Sequence, residues 1–201
     1  MARPREFDET AVLDAAMQQF WMYGYEATSV RDLAQSMGIT GASLYNAFGD
    51  KRTLFRRALA HYVETSFGDR VGRFEHGLAP RAALEAFFRE IIDRSVQDED
   101  RKGCLLVNSA LEVAPHDPDF QATIAEVLAK VEAFFRRCIQ AGQRTGEIPS
   151  SQSAEDLARL LLGVHLGIRV LARTRPERAL LEGLARPALD LLKPSRSSQH
   201  K

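Results

Sequence analysis

Cysteine is scarce in this chain. Cys104 and Cys138 are the two present among 201 residues, too few and too far apart for a disulfide framework or a zinc site. Net charge is missing as well: 27 Lys and Arg stand against 27 Asp and Glu, without the basic excess that many nucleic-acid binders carry. The balance holds locally. Within residues 1–57, Arg3, Arg5, Arg31, Lys51, Arg52, Arg56 and Arg57 face Glu6, Asp8, Glu9, Asp14, Glu26, Asp32 and Asp50. That argues against nonspecific coating of DNA and leaves a short, focused contact surface open. No apolar run approaches the roughly 20 residues of a membrane span. The opening segment, Met1 to Glu9, holds no apolar core of signal-peptide length, so a soluble cytoplasmic protein with no membrane partner is expected. There is no P-loop, no G-x-S-x-G, no H-E-x-x-H and no C-x-x-C. His61, His76, His116, His165 and His200 are scattered. The expectation is a non-enzyme with no cofactor and no metal. Alternating runs bounded by turn pairs, which a sheet requires, are not found, nor is an internal repeat.

What the chain does have is ordinary globular composition, 45% hydrophobic and 27% charged, and apolar residues at helical spacing throughout. Asp8 is placed to cap a first helix carrying Val12, Ala15, Ala16 and Phe20, with Gly24 ending it. Thr28 is read as the cap of a second helix, Ser29 to Met37, which Gly38 stops. Thr40 caps a third, Gly41 to about Ala47. Asp50, after Gly49, caps a long fourth that runs through Phe55, Leu59 and Tyr62 towards Gly77. Further helices are predicted over about 81–96, 103–113, 119–142, 154–173 and 176–192. The fold class expected is all-α with about nine helices. The expected organisation is a helix-turn-helix domain over 1–50, a helical ligand-binding and dimerisation domain over 51–193, and a disordered tail over 194–201.

Thr28 to Phe55 is the informative segment. Two short helices joined by a tight glycine turn define a helix-turn-helix. Ala34 is small where the helices approach, and Gly38 falls where the turn favours positive φ. Leu33, Met37, Ile39 and Leu44, extended by Val30 and Phe48, lock the interhelical angle. Placing these inward leaves Thr40, Gly41, Ala42, Ser43, Tyr45 and Asn46 outward on the third helix. Ser43 and Asn46 can read base edges, and the Ala42 methyl can meet a thymine methyl. Thr40 at the helix N-terminus suits a phosphate, and Thr28, Tyr45 and Lys51 add backbone contacts that position without specifying. Tyr45 also has a plain reading as a surface aromatic, which its place in the motif outweighs. Lys51 stands where the helix dipole disfavours a cation.

Residues 10–57 resemble the N-terminal domain of the tetracycline-repressor (TetR/AcrR) family. The matching residues are Phe20, Gly24, Tyr25, Thr28, Val30, Ile39, Ser43-Leu44-Tyr45, Phe48, Lys51 and Leu54-Phe55. The resemblance implies a homodimer that places its third helix in the major groove of a palindromic operator. It also implies a C-terminal domain that binds a small-molecule effector, and repression as the activity. The family positions matching Thr28, Thr40, Tyr45, Asn46 and Lys51 commonly touch DNA. Two departures remove possible contacts: Gly41 stands where a basic residue is frequent, and Ala47 where a second aromatic is frequent. Arg3 and Arg5 could compensate as an arm.

In the rest of the chain the candidates are weaker. Phe88 and Phe134 could line a pocket, though aromatics at helical spacing are usually core. His165 and Arg169, four residues apart on one helix face, could bind an anionic ligand. A hydrogen-bonded core histidine is the plainer reading. Asn108 is a polar residue in an apolar helix. Cys104 reads as a small buried apolar residue, or as a thiol sensor whose pKa a helix N-terminus would lower. Leucine stripes on the last two helices, about 154–192, favour dimerisation there. The alternative functions are a thiol-responsive regulator using Cys104, or a helical protein-interaction module that never meets DNA.

Overall fold

A computed structural model describes residues 8–194. Arg3, Arg5 and the tail from residue 195 lie outside the described residues. Helices account for the architecture: α1 Glu9–Tyr23, α2 Val30–Ser36, α3 Gly41–Phe48, α4 Lys51–Val63, α5 Asp69–Gly77, α6 Pro80–Gln97, α7 Leu105–Glu112, α8 Pro118–Thr145, α9 Ala154–Leu171 and α10 Arg178–Asp190. A π-helical segment, Glu64–Gly68, follows α4 directly and leads into α5. Taken as one helix, α4 to α5 brings the count among the described residues to nine.

Local sequence explains most of the boundaries. Asp8 accepts the amides of Thr10 and Ala11, Thr40 that of Ser43, and Asp50 that of Thr53, each satisfying donors a helix start leaves orphaned. The cap of α2 corrects the expectation of Thr28. Ser29 takes that role in a reciprocal capping box with Asp32. Thr28 is instead buried, and its hydroxyl donates to the Gly24 carbonyl at 2.6 Å. The helix predicted over 119–142 runs on to Thr145, because Gly142 is an interior residue on which Ile148 packs. Gly146, at φ 76°, follows its end. The helix predicted from Gly103 begins at Leu105, with Cys104 as its N-cap.

The chain folds as two compact units. One comprises residues up to Phe67 together with Cys104–Ile124; the other comprises Gly68–Gly103 and the chain from Ala125. These packing units cross the sequence division expected at residue 50, since α4 packs on α1 and α7 on both. In the first unit Phe20, Leu33, Leu44, Leu54, Phe55 and Leu59 are the core. The Phe20 and Tyr25 rings each lie 4.8 Å from Phe55, and Phe120 closes the set at 5.2 Å. In the second unit Phe87, Phe88, Phe134 and Phe135 interlock, Phe87 meeting Phe135 edge-on at 5.0 Å.

Gly24 is fixed twice over. Its φ is 85°, and a Cβ there would stand 2.8 Å from a carboxylate oxygen of Glu112. Gly24→Ala is therefore expected to destabilise the protein by about 2 kcal/mol through strain and displacement of that carboxylate. In a chain of this length that is a fall in Tm of roughly 4–8 °C, read by circular dichroism.

Candidate nucleic-acid interface

In the first unit, Leu44 and Phe48 anchor α3 through its buried face. Gly38, at φ 65°, supplies the turn from α2, and the Ile39 amide bonds back to the Ala34 carbonyl at 3.0 Å. The opposite face of α3 is exposed at Ala42, Tyr45 and Asn46, with Thr40 exposed at its start and Gly41 and Ser43 partly exposed. Tyr45 is 53% exposed, so its hydroxyl points to no core. The Thr40 and Ser43 hydroxyls lie 2.9 Å apart and the Ser43 amide donates to Thr40. That cap orders the first turn and engages Ser43 within the helix. Lys51 at the start of α4 lies over the Tyr25 ring, its Nζ 4.3 Å from the centroid. This cation–π contact offsets the unfavourable dipole.

Thr28 stands apart from this surface, its hydroxyl spent on Gly24. Sequence reasoning missed what holds this region from outside it. Glu112, at the end of α7, accepts the amides of Tyr25 at 3.2 Å and Glu26 at 2.9 Å. Arg52 forms a fork onto Asp117, at 2.8 and 2.9 Å, and reaches Asp119 at 2.7 Å. The Arg52 hydrogen bonds hold the Asp117 carboxyl down to about 2. No spacing rule points to partners more than sixty positions away.

The six candidate ligand residues divide between the units. Cys104 and Asn108 belong to the first; Phe88, Phe134, His165 and Arg169 to the second. Cys104 is buried and accepts a hydrogen bond from the Tyr62 hydroxyl at 3.4 Å. Cys138 is buried too, and burial pushes its thiol up to about 12. In the second unit Arg70, His165 and Arg169 are all buried. Arg169 donates to Ser95 Oγ at 2.8 Å and to the Gly103 carbonyl oxygen. Arg70 pairs with Glu90 at 3.2 Å and lies over the Phe87 ring. The His165 ring meets Phe87 at 5.4 Å, and its Nδ1 is buried with no hydrogen-bond partner. Burial first, then the charges of Arg169 and Arg70, drive its pKa down to about 3. Arg70 carried no signal in the sequence.

A tight-turned helix pair presenting a polar α3 face, carried on a larger helical unit, defines a helix-turn-helix transcriptional regulator. Residues 12–58 match the family model described as bacterial regulatory proteins, tetR family. Residues 80–186 match that of the tetracyclin repressor-like C-terminal domain. The chain belongs to the tetR family. It is 31% identical to the HTH-type transcriptional regulator YezE of Bacillus subtilis, over 96% of this chain and 100% of that protein. It is 32% identical to the HTH-type transcriptional repressor ComR of Escherichia coli, over 90% and 86%. Among solved structures, a cysteine mutant of the TetR-family regulator CifR, complexed with double-strand operator DNA, superposes with a TM-score of 0.84. It is 32% identical, and the match covers 96% of this chain and 100% of that one.

The buried imidazole has a consequence for stability. Folded His165 takes a proton only near pH 3, whereas an unfolded ring does so near 6.5. Between those values the unfolded chain holds the extra proton, so stability falls as pH falls from about 6.5. Arg70 and Arg169 face the ring from α5 and α9, and Glu90 from α6 answers Arg70. Urea midpoints should decline from pH 7 to 5, before carboxylates titrate. Replacing His165 with Phe should flatten that part of the curve.

Proposed function

We propose that this protein is a sequence-specific transcriptional repressor, a regulator rather than an enzyme, working in the cytoplasm as a homodimer that a small-molecule effector releases from a palindromic operator. The observation that carries this reading is the exposed face of α3, uncharged and small at Ala42, polar at Tyr45 and Asn46, on a helix whose other face is locked by Leu44 and Phe48. In a major groove the small residues permit close approach and Asn46 reads a base edge, with Ser43 beside it. Thr40, Gly41, Tyr45 and Lys51 position the helix against phosphates. Thr28 contributes by holding the loop. The operator-bound CifR structure supports this assignment. We assign 1–50 to DNA recognition and 51–193 to effector binding and dimerisation.

Dimerisation is assigned to α9 and α10. Leu160, Gly163, Val164, Gly167 and Val170 recur at helical spacing on α9, and none is buried. Leu180, Gly183, Leu184 and Pro187 do the same on α10, with Leu191 at its C-cap. Neither set includes a charge, and apolar stripes of this kind pack in four-helix arrangements. Two copies would present two α3 helices to half-sites roughly 34 Å apart. Release then works through α8, one helix whose first turns belong to the unit carrying α3 and whose remainder belongs to the other. An effector that favours one setting of α8 shifts Asp117 and Asp119, and with them Arg52 and the DNA-binding helices. It must bind the two settings unequally.

Selection of bound duplexes from a random pool, followed by fluorescence anisotropy at two salt concentrations, tests the recognition half. A palindrome with steep salt dependence is expected. Asn46→Ala should cost about 1–3 kcal/mol and relax one base position, while Lys51→Ala should weaken all sequences and lower the salt slope by about 1. No enrichment would remove the reading. Val170→Glu, placed in the α9 stripe, should yield monomers in sedimentation velocity and lower operator affinity by at least tenfold. A dimer of unchanged stability would remove α9 from the interface.

A further inference from the structure

The second unit buries polar chemistry that its fold does not require. Arg70, His165 and Arg169 are 5%, 8% and 7% exposed, and charged or ionisable side chains so far from water are uncommon unless each is paired. The Glu90 carboxylate takes ion pairs from Arg70, Arg73 and Arg94, between 2.9 and 3.2 Å. Ser95 and the Gly103 carbonyl serve Arg169. His165 Nδ1 is buried with none. An orphaned interior polar atom costs stability that an apolar ring of the same shape would not. It stands beside Phe87, itself packed on Phe134 and Phe135, within the field of two guanidinia.

We propose that His165 Nδ1 anchors the effector, and that the effector is a small weak acid. Its carboxylate or phenolate accepts the Nδ1–H bond near Arg70 and Arg169, and its apolar body lies against Phe87. This rests on the reading of the protein as an effector-released repressor and names the effector's class. Two elements make the anion fit. In the tautomer that carries its proton on Nδ1, the neutral imidazole offers a donor with no acceptor in the fold, and the arginine charges that disfavour an imidazolium favour an anion in the same place. Phe87 offers the apolar contact that orients such a ligand.

The test compares benzoate and octanoate with benzamide and octanamide, on the full-length protein and on His165→Phe. Three measurements are made: ligand-free Tm at pH 7.5, operator release by anisotropy, and the ¹⁵N shift of His165 Nδ1 in the wild type. The acids should move the Nδ1 resonance, raise Tm and release operator, and the amides should not. His165→Phe should melt several degrees higher without ligand, bind operator within twofold of wild type and lose the response to acids. A His165→Phe protein that melts lower would make the ring structural and overturn the assignment. Amides that act as well as acids would overturn it too, as would an Nδ1 resonance that none of the acids moves. If an acid moves the resonance and operator stays bound, the site stands and effector release fails. If operator is released with Nδ1 unmoved, release stands and the site fails.

Discussion

The carboxylate of Glu112 holds the loop on which the DNA-binding surface depends. A helix-turn-helix is useful only if both its helices are held in one place, and where the pair starts is set where α1 hands over to α2. Gly24 leaves α1 at positive φ, Thr28 ties its hydroxyl back to the Gly24 carbonyl, and the next two amides, Tyr25 and Glu26, both point at Glu112. Glu112 thus closes donors that the loop cannot satisfy from within. A carboxylate bonded to amides contributes roughly 1.5–3 kcal/mol per bond in such settings. That is enough to select one loop conformation and too little to make it permanent.

That modest strength fits the proposed release. The Arg52 fork onto Asp117 and Asp119 is the second tie between α3's neighbourhood and the α7–α8 turn, and both ties end on residues 112–119. Allosteric coupling between two sites is typically 1–3 kcal/mol, the scale of one such bond. On the reading proposed above, a ligand that resets α8 need not unfold anything. It needs only to move the carboxylates at 112, 117 and 119 by enough to weaken bonds whose geometry is narrow. The π-helical segment at 64–68 follows α4 at the boundary of the two units, where an extra residue per turn lets a helix change register locally.

Local chemistry was legible in the sequence and distant chemistry was not. Asp8, Thr40 and Asp50 cap as their types suggest, and Gly24, Gly38 and Gly49 all take positive φ, because a cap or a turn involves only neighbours. Thr28 and Ser29 are adjacent and both suit a cap. The choice between them was made by burial, which depends on where α1 lies. Gly142 read as a helix end, yet the close approach of Ile148, six residues on, explains it as an interior glycine. Of the candidate interface, the α3 face followed from the inward positions of Leu44 and Phe48. The ties from Glu112 and Asp117 did not follow, since nothing in a surface-type carboxylate announces a partner 65 or 87 positions away. Arg70 was invisible because an arginine in a mixed stretch reads as surface, and only folding places it over the Phe87 ring.

The neutral charge count, which argued against nonspecific coating of DNA and left a focused surface open, is explained when the acids are located. Among the described N-terminal acids, Asp8, Asp32 and Asp50 cap helices. Glu9 pairs with Arg57, and Asp14 with His61. Each of these five carboxylates is thereby aimed at a helix start, an arginine or a ring nitrogen. From Leu33 to Gly49, the stretch that builds the turn and all of α3, there is no Asp or Glu, so nothing on that face repels a phosphate. Arg31 and Arg56 are exposed on the flanking helices, and Lys51 is held over Tyr25. A surface of this kind binds through placed dipoles and a few cations rather than a broad positive field. In the proposed dimer, affinity depends on fit at two half-sites together, and the spacing between the two α3 helices is then the quantity the proposed effector would change.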